Sequence, residues 1–146
     1  MRYYTMKKIK EKKVKIDPSQ KKKLNRSLGA RNKQRGNAYE VKIAKELRDI
    51  GFTGVVTSRE ESKKADDNKI DLIDTENKLP CNIQLKRTIS TPQYFNIRKE
   101  TTVCPKTFVV MWNKQRNVNG RFMSDGEMVM MDKEFFYELI KVYANA

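Results

Sequence analysis

The chain has 146 residues, 34% of them charged and 38% hydrophobic, with 32 Lys and Arg against 18 Asp and Glu and no histidine. Without histidine there is no Ser-His-Asp or Cys-His nucleophile, no His-dependent zinc site and no His-metal nuclease motif, so any chemistry falls to carboxylates, lysines and amides. This length fits one domain whose core buries roughly two-thirds of the unfolded surface.

Charge divides the chain. Residues 1–35 hold 14 Lys and Arg against Glu11 and Asp17, a net +12 of the +14 total. With few apolar residues at regular spacing, this stretch cannot offset its ordering entropy and reads as a flexible basic arm, with room for a short helix within 19–34. Lys21, Lys22, Lys23, Arg31 and Lys33 are its expected nucleic-acid contacts, adding affinity without sequence preference. A solubilising or localisation tail explains the same charge.

Residues 37–50 follow as an amphipathic helix, with Val41, Ala44 and Leu47, then Ile43, Leu47 and Ile50, at three- and four-residue spacing. Gly51 stops it. Residues 52–58 are β-branched and short, a strand; 59–68 form a charged loop; 69–74 form a second strand. A turn over 75–80 leads to a third strand, 81–88, hairpinned to the second, with Ile83 and Leu85 on one face. Residues 92–100 suggest a short helix. Residues 107–112 are nearly all apolar, as a strand buried on both faces should be. Residues 117–126, rich in Asn and Gly, read as a loop before a last strand, 127–131. Asp132 caps a final helix, 133–143, whose Phe135, Phe136, Leu139, Ile140 and Tyr143 form a stripe expected in the core. The order predicts an α/β fold, a mixed sheet flanked by helices, as a domain of residues 36–146 behind the arm of residues 1–35.

Cys81 and Cys104 make no disulfide framework. No stretch reaches the length of a membrane span, and the N-terminus lacks a secretory apolar run, so a cytoplasmic protein with no membrane partner is expected.

Three pieces of this scaffold carry chemistry together. Gln84 and Lys86 lie two apart on the third strand and so share a face. Asp71 lies one hairpin away, an acid among apolar residues. Glu40 stands near the start of the helix. Two carboxylates, an amide oxygen and an ammonium suit one Mg²⁺, which takes hard oxygen ligands; Mn²⁺ is the alternative. Such a metal polarises a phosphate and acidifies its own water, and Lys86 can orient a water or hold charge on the phosphate. Asp66, Asp67 and Asp74 are alternative acids; Asp74, three on from Asp71, points to the opposite strand face.

This order of residues resembles the PD-(D/E)XK nuclease superfamily, and within it the archaeal-type Holliday junction resolvases and their phage relatives. The likeness runs over about residues 35–115. It begins at Arg35-Gly36-Asn37-Ala38-Tyr39-Glu40, continues through Gly51-Phe52 and Thr57-Ser58-Arg59, and reaches Ile70-Asp71-Leu72-Ile73 and Ile83-Gln84-Leu85-Lys86, with Arg87-Thr88-Ile89-Ser90 as the exit. Gln84 stands where the family has an acid, and Ile70 where it has Pro. The resemblance implies a restriction-endonuclease-like core and a homodimer making paired cuts in branched DNA. Asp71, Gln84 and Glu40 would hold the metal, with Lys86 catalytic beside them. Arg35, Ser58, Arg59, Lys63, Lys64 and Arg87 would contact DNA with the arm. Two other readings stand beside it: a non-catalytic nucleic-acid-binding protein on a decayed nuclease fold, and a restriction or repair endonuclease acting on linear duplex.

Overall fold

Asp17 and Pro18 open the first helix, α1 (Pro18–Asp49), in a computed structural model that describes residues 17–61, 70–101 and 107–146. Proline suits the first helical position, where its missing N–H costs nothing. The Asp17 carbonyl accepts from the Lys21 N–H at 2.9 Å, and its carboxylate accepts from the Ser19 hydroxyl. The chain divides into two compact units, residues 1–32 and 33–146. The helix therefore begins well before residue 37. Lys, Arg, Gln, Leu and Ala all favour helix, so this stretch needs no apolar face to coil locally. In the first unit every described residue is exposed.

In the second unit the same helix becomes amphipathic. Tyr39, Glu40, Ile43 and Ala44 are buried, while Val41 and Ile50 of the predicted pattern are exposed. Gly51, at φ +111°, ends it. The strands are β1 (Val55–Thr57), β2 (Leu72–Asp74), β3 (Cys81–Thr88), β4 (Thr107–Val118) and β5 (Arg121–Met130). They form one mixed sheet in the order β1-β2-β3-β4-β5, in which only the β3–β4 pair is parallel. A helical turn, α2 (Ser58–Glu61), follows β1, and a short helix, α3 (Tyr94–Glu100), lies on the crossover from β3 to β4. The last helix is α4 (Lys133–Ala144). This is the α/β architecture expected.

The sheet packs on both faces. Tyr39, Ile43 and Ala44 of α1 share a core with Val55, Leu72, Ile83, Leu85, Val109 and Phe135. Tyr94 of α3 packs against Phe108 and Val110 on the other side, and its hydroxyl donates to the Phe108 carbonyl at 2.9 Å. Phe108, Val109 and Val110 are thus buried on alternate faces of a central strand.

Several boundaries differ from expectation. The first two strands keep three residues each, because the chain at Ser58 turns into α2 and the chain at Asp71 is held by neighbouring backbone. The loop expected over 117–126 is instead the tip of a long hairpin. Asn119 (φ +51°) and Gly120 (φ +79°) make a two-residue turn that favours these residue types and lets β4 reach Val118 and β5 start at Arg121. The final helix follows Asp132, whose side chain accepts from the Phe135 N–H. Its apolar stripe is not core: Phe135 alone is buried, and Phe136, Leu139, Ile140 and Tyr143 are exposed. Phe135 joins the core shared with α1, and the rest of the stripe is exposed. Among the described residues, no helix is long and apolar enough to cross a membrane.

Candidate active site

Asp71 is fixed by its backbone before its side chain acts. Its N–H donates to the Ile83 carbonyl at 3.0 Å, and its carbonyl accepts from the Ser58 N–H at 2.9 Å. It sits between the end of β1 and the middle of β3, immediately before β2. That position aims its carboxylate at β3: Oδ2 accepts from the Leu85 N–H at 2.6 Å and from the Gln84 side-chain amide at 2.6 Å. Asp71 and Gln84, expected to face one cation together, are thus in direct contact, through the amide nitrogen rather than the amide oxygen.

The carboxylate also sets the orientation of the amide. Gln84 presents Nε2 to Asp71, because a carboxylate only accepts. Its Oε1 is turned away, buried, and has no hydrogen-bond partner among the described residues. Gln84 itself is 5% exposed. A buried carbonyl oxygen left unpaired is costly, and such an acceptor beside a carboxylate is suited to a cation. Lys86, half-buried, lies two residues on and shares that strand face. In the parallel register it stands opposite Trp112, whose indole N–H donates to the Thr88 carbonyl and hydroxyl. Lys86 makes no ion pair among the described residues.

Glu40 is buried on α1, and Arg59 donates to its carboxylate at 3.2 Å. Arg59 adjoins Ser58, whose N–H holds Asp71, so α2 links the helix acid to the strand acid. The Ser58 hydroxyl is buried and likewise has no partner among the described residues. Asp74 is engaged elsewhere: its carboxylate accepts from the N–H groups of Glu76, Lys78 and Leu79 and shapes the turn after β2. Asp66, Asp67, Lys63, Lys64 and Cys104 lie outside the described residues. Cys81, half-buried on β3, packs against the core. Among the described residues no three His, Cys, Asp or Glu gather as a metal-binding group.

The basic residues separate into two kinds. Lys21, Lys22, Lys23, Arg31 and Lys33 are exposed on α1. Arg35 and Arg87 are half-buried and structurally engaged. Arg35 donates to Gln115 Oε1 at 2.9 Å, and its guanidinium lies 4.0 Å from the Phe122 ring centroid. Arg87 donates to the Arg35 carbonyl at 3.3 Å. Burial, and then the Arg87 charge, lower the Arg35 pKa.

A polar chain unforeseen from sequence continues from Arg35. Gln115, 1% exposed, donates to Asn113; Asn113 donates to Glu127 at 2.6 Å; Lys42 donates to the same Glu127 oxygen at 2.8 Å. It joins the body of α1 to the β4–β5 hairpin. Burial, then Glu127 and Glu46, push the nearby Tyr39 hydroxyl pKa up. The signal was Asn119-Gly120, since reading it as a hairpin turn extends β4 through Asn113 and Gln115.

No protein-family model, no curated protein and no solved structure matches this chain.

Proposed function

We propose that the chain is a metal-dependent endodeoxyribonuclease with a restriction-endonuclease-like core, cutting four-way junctions or other branched DNA as a homodimer. The observation that carries this reading is the Asp71–Gln84 contact, with the buried Oε1 of Gln84 unpartnered and Lys86 on the same strand face. Asp71, Gln84 Oε1 and Glu40 would hold Mg²⁺ or Mn²⁺. When bound, the metal would supply Lewis acidity at a phosphate oxygen and a more acidic water.

The chain's own residues have separable tasks. Asp71 holds the Gln84 amide so that its oxygen faces away from the carboxylate. Lys86 would place its ammonium against the charge that grows on the attacked phosphate. Ser58, Arg59, Arg87 and Arg35 would border the DNA backbone, with Lys63 and Lys64 in the same role. The exposed lysines of α1 would add sequence-independent affinity. Such a protein would work in the cytoplasm, where DNA is open to it.

The test is incubation with a labelled four-way junction, matched linear duplex and single strand, with and without Mg²⁺. Symmetric nicks confined to the junction, abolished by EDTA and by Asp71→Asn, are expected. Cuts in linear duplex of equal rate would make it a restriction or repair enzyme instead. One observation favours a second reading: Gln84 brings no negative charge and spends its N–H on Asp71. Tight, salt-sensitive binding with no cuts in any metal would make the protein a non-catalytic binding module.

A further inference from the structure

The first turns of α1 carry more than lysines. Asn25, Gly29 and Asn32 stand four and three residues apart on this helix. At about 100° per residue they fall within an arc of about 60° on one side of it. Lys21 borders that arc on one flank, and Lys22 and then Arg26 on the other. Pro18, Lys21, Lys22, Asn25 and Arg26 line one open concavity on this side.

These three residues are poor choices for an exposed helix, since Asn weakens it and glycine is the worst former after proline. Packing does not call for them. All three are exposed, and a methyl group on Gly29 would meet nothing within 4 Å. A face kept short and open suits a partner that must come close to the helix backbone.

Charge selects that partner. No acid stands between Asp17 and Glu40, so this side attracts a polyanion. An α-helix fits the major groove of B-form DNA, whereas the major groove of an RNA duplex is too narrow to be read. In the DNA groove, asparagine pairs through both ends of its amide with N6 and N7 of adenine. Basic residues bordering such a helix reach the phosphates on either side. Asn25 and Asn32 are about 10 Å apart along the axis, which covers about three base-pair steps of about 3.4 Å. Gly29 lies between them, where a side chain would hold the helix off the base edges.

We infer that α1 enters the major groove of duplex DNA and reads adenine with Asn25 and Asn32, at positions about three base pairs apart. This adds a sequence preference to the phosphate contacts of the lysines. The inference rests on the nuclease reading only for DNA as the partner, not for cutting.

Selection of bound sequences from a pool of random DNA duplexes tests it, with the full chain in EDTA to prevent cutting. Enrichment of two A·T pairs about three base pairs apart is expected. Changing either pair to G·C, or its adenine to an analogue with carbon in place of N7, should weaken binding about tenfold. Asn25→Ala and Asn32→Ala should each abolish the preference at one position and leave affinity for unselected duplex within about twofold. Gly29→Ala should raise helix content by circular dichroism and yet weaken binding to the selected site about fivefold. Alanine favours the helix, so none of these losses would reflect unfolding. Bound duplexes without such a pattern, a selected site indifferent to the N7 change, or equal affinity for the same sequence as an RNA duplex overturns the inference. Selective binding without cuts in Mg²⁺ would count against the nuclease reading alone, and junction cutting without sequence preference against the groove contact alone. No binding to any DNA would overturn both.

Discussion

Gln84 donates from its side-chain amide to Oδ2 of Asp71 at 2.6 Å, and this one contact decides which end of the amide remains for a ligand. Replacing Gln84 with Glu exchanges a donor for a second carboxylate against the first. Without metal, Gln84→Glu should therefore cost about 1–3 kcal/mol, from a lost hydrogen bond and like-charge repulsion in a buried place. Millimolar Mg²⁺ should recover most of that loss, because the site then gains a charge that a cation can use. Thermal denaturation in EDTA and in Mg²⁺ measures both. Equal loss in the two conditions would speak against a cation at this position.

Lys86 offers the cleanest separation of chemistry from folding. It is half-buried and makes no ion pair among the described residues, so Lys86→Met keeps the stem's packing and removes only the charge. Stability should stay within about 0.5 kcal/mol of wild type. Cleavage of the junction should fall by about 10²-fold or more, as when a group stabilising transition-state charge is lost. Urea denaturation beside a cleavage time course checks the pair of outcomes.

Spacing in the sequence was enough for Asp71 and Gln84, because strand alternation and one hairpin leave few alternatives for where those side chains go. The alternation of Ile83 and Leu85 similarly foretold the face that meets α1. What escaped was set by long-range packing or by local helix chemistry. The apolar spacing of α4 was clear, but periodicity shows a stripe and not what covers it; Phe135 found the core and Phe136 did not. Residues 18–36 carry no apolar rhythm, and their helix follows from Asp17-Pro18 and residue propensity. Gln115 and Asn113 look like surface polar residues until the Asn119-Gly120 turn extends the strand beneath them.

Those two residues carry the next prediction. Gln115 is buried between Arg35 and Asn113, so Gln115→Ala leaves a guanidinium N–H and an amide oxygen without their partner. Lost hydrogen bonds and the cavity together should cost about 2–4 kcal/mol. Arg35→Ala should cost less, since Arg35 is only partly buried. The double variant should be about 1 kcal/mol more stable than the two losses added, because they share one contact. A double-mutant cycle by urea denaturation measures this coupling, and strict additivity would show that the contact contributes nothing.

Glu127 ties the hairpin to α1 and should make stability fall in acid. The hydrogen bond from Lys42 holds its carboxyl below the ordinary value of 4.5, with Asn113 adding to this and burial opposing it. A depressed carboxyl stabilises the fold above its unfolded value, and that stabilisation is lost as pH drops through the folded value. Lys42, raised from 10.5 chiefly by the same bond, contributes below that pH and loses its part only above it. Glu127→Gln should therefore be less stable than wild type at neutral pH. It should also lose less on acidification from about pH 5.5 to pH 3. Melting temperatures across that range test the sign: parallel curves for the two proteins would mean the Lys42–Glu127 bond carries no pH dependence.

Lys21, Lys22 and Lys23 lie exposed on α1, and their proposed task is electrostatic alone. Each lysine that neutralises a phosphate releases a condensed counterion and adds about 0.9 to the steepness of log K against log salt on duplex DNA. Replacing all three with Ala should thus reduce the slope by between two and three, on junction and on linear duplex alike. The ratio of the two affinities should not change, because a phosphate contact without base contact carries no sequence information. Binding titrations at four salt concentrations from about 50 to 200 mM distinguish this from a recognition role. An unaltered slope would place these lysines off the DNA, and a loss confined to the junction would make them readers of the branch.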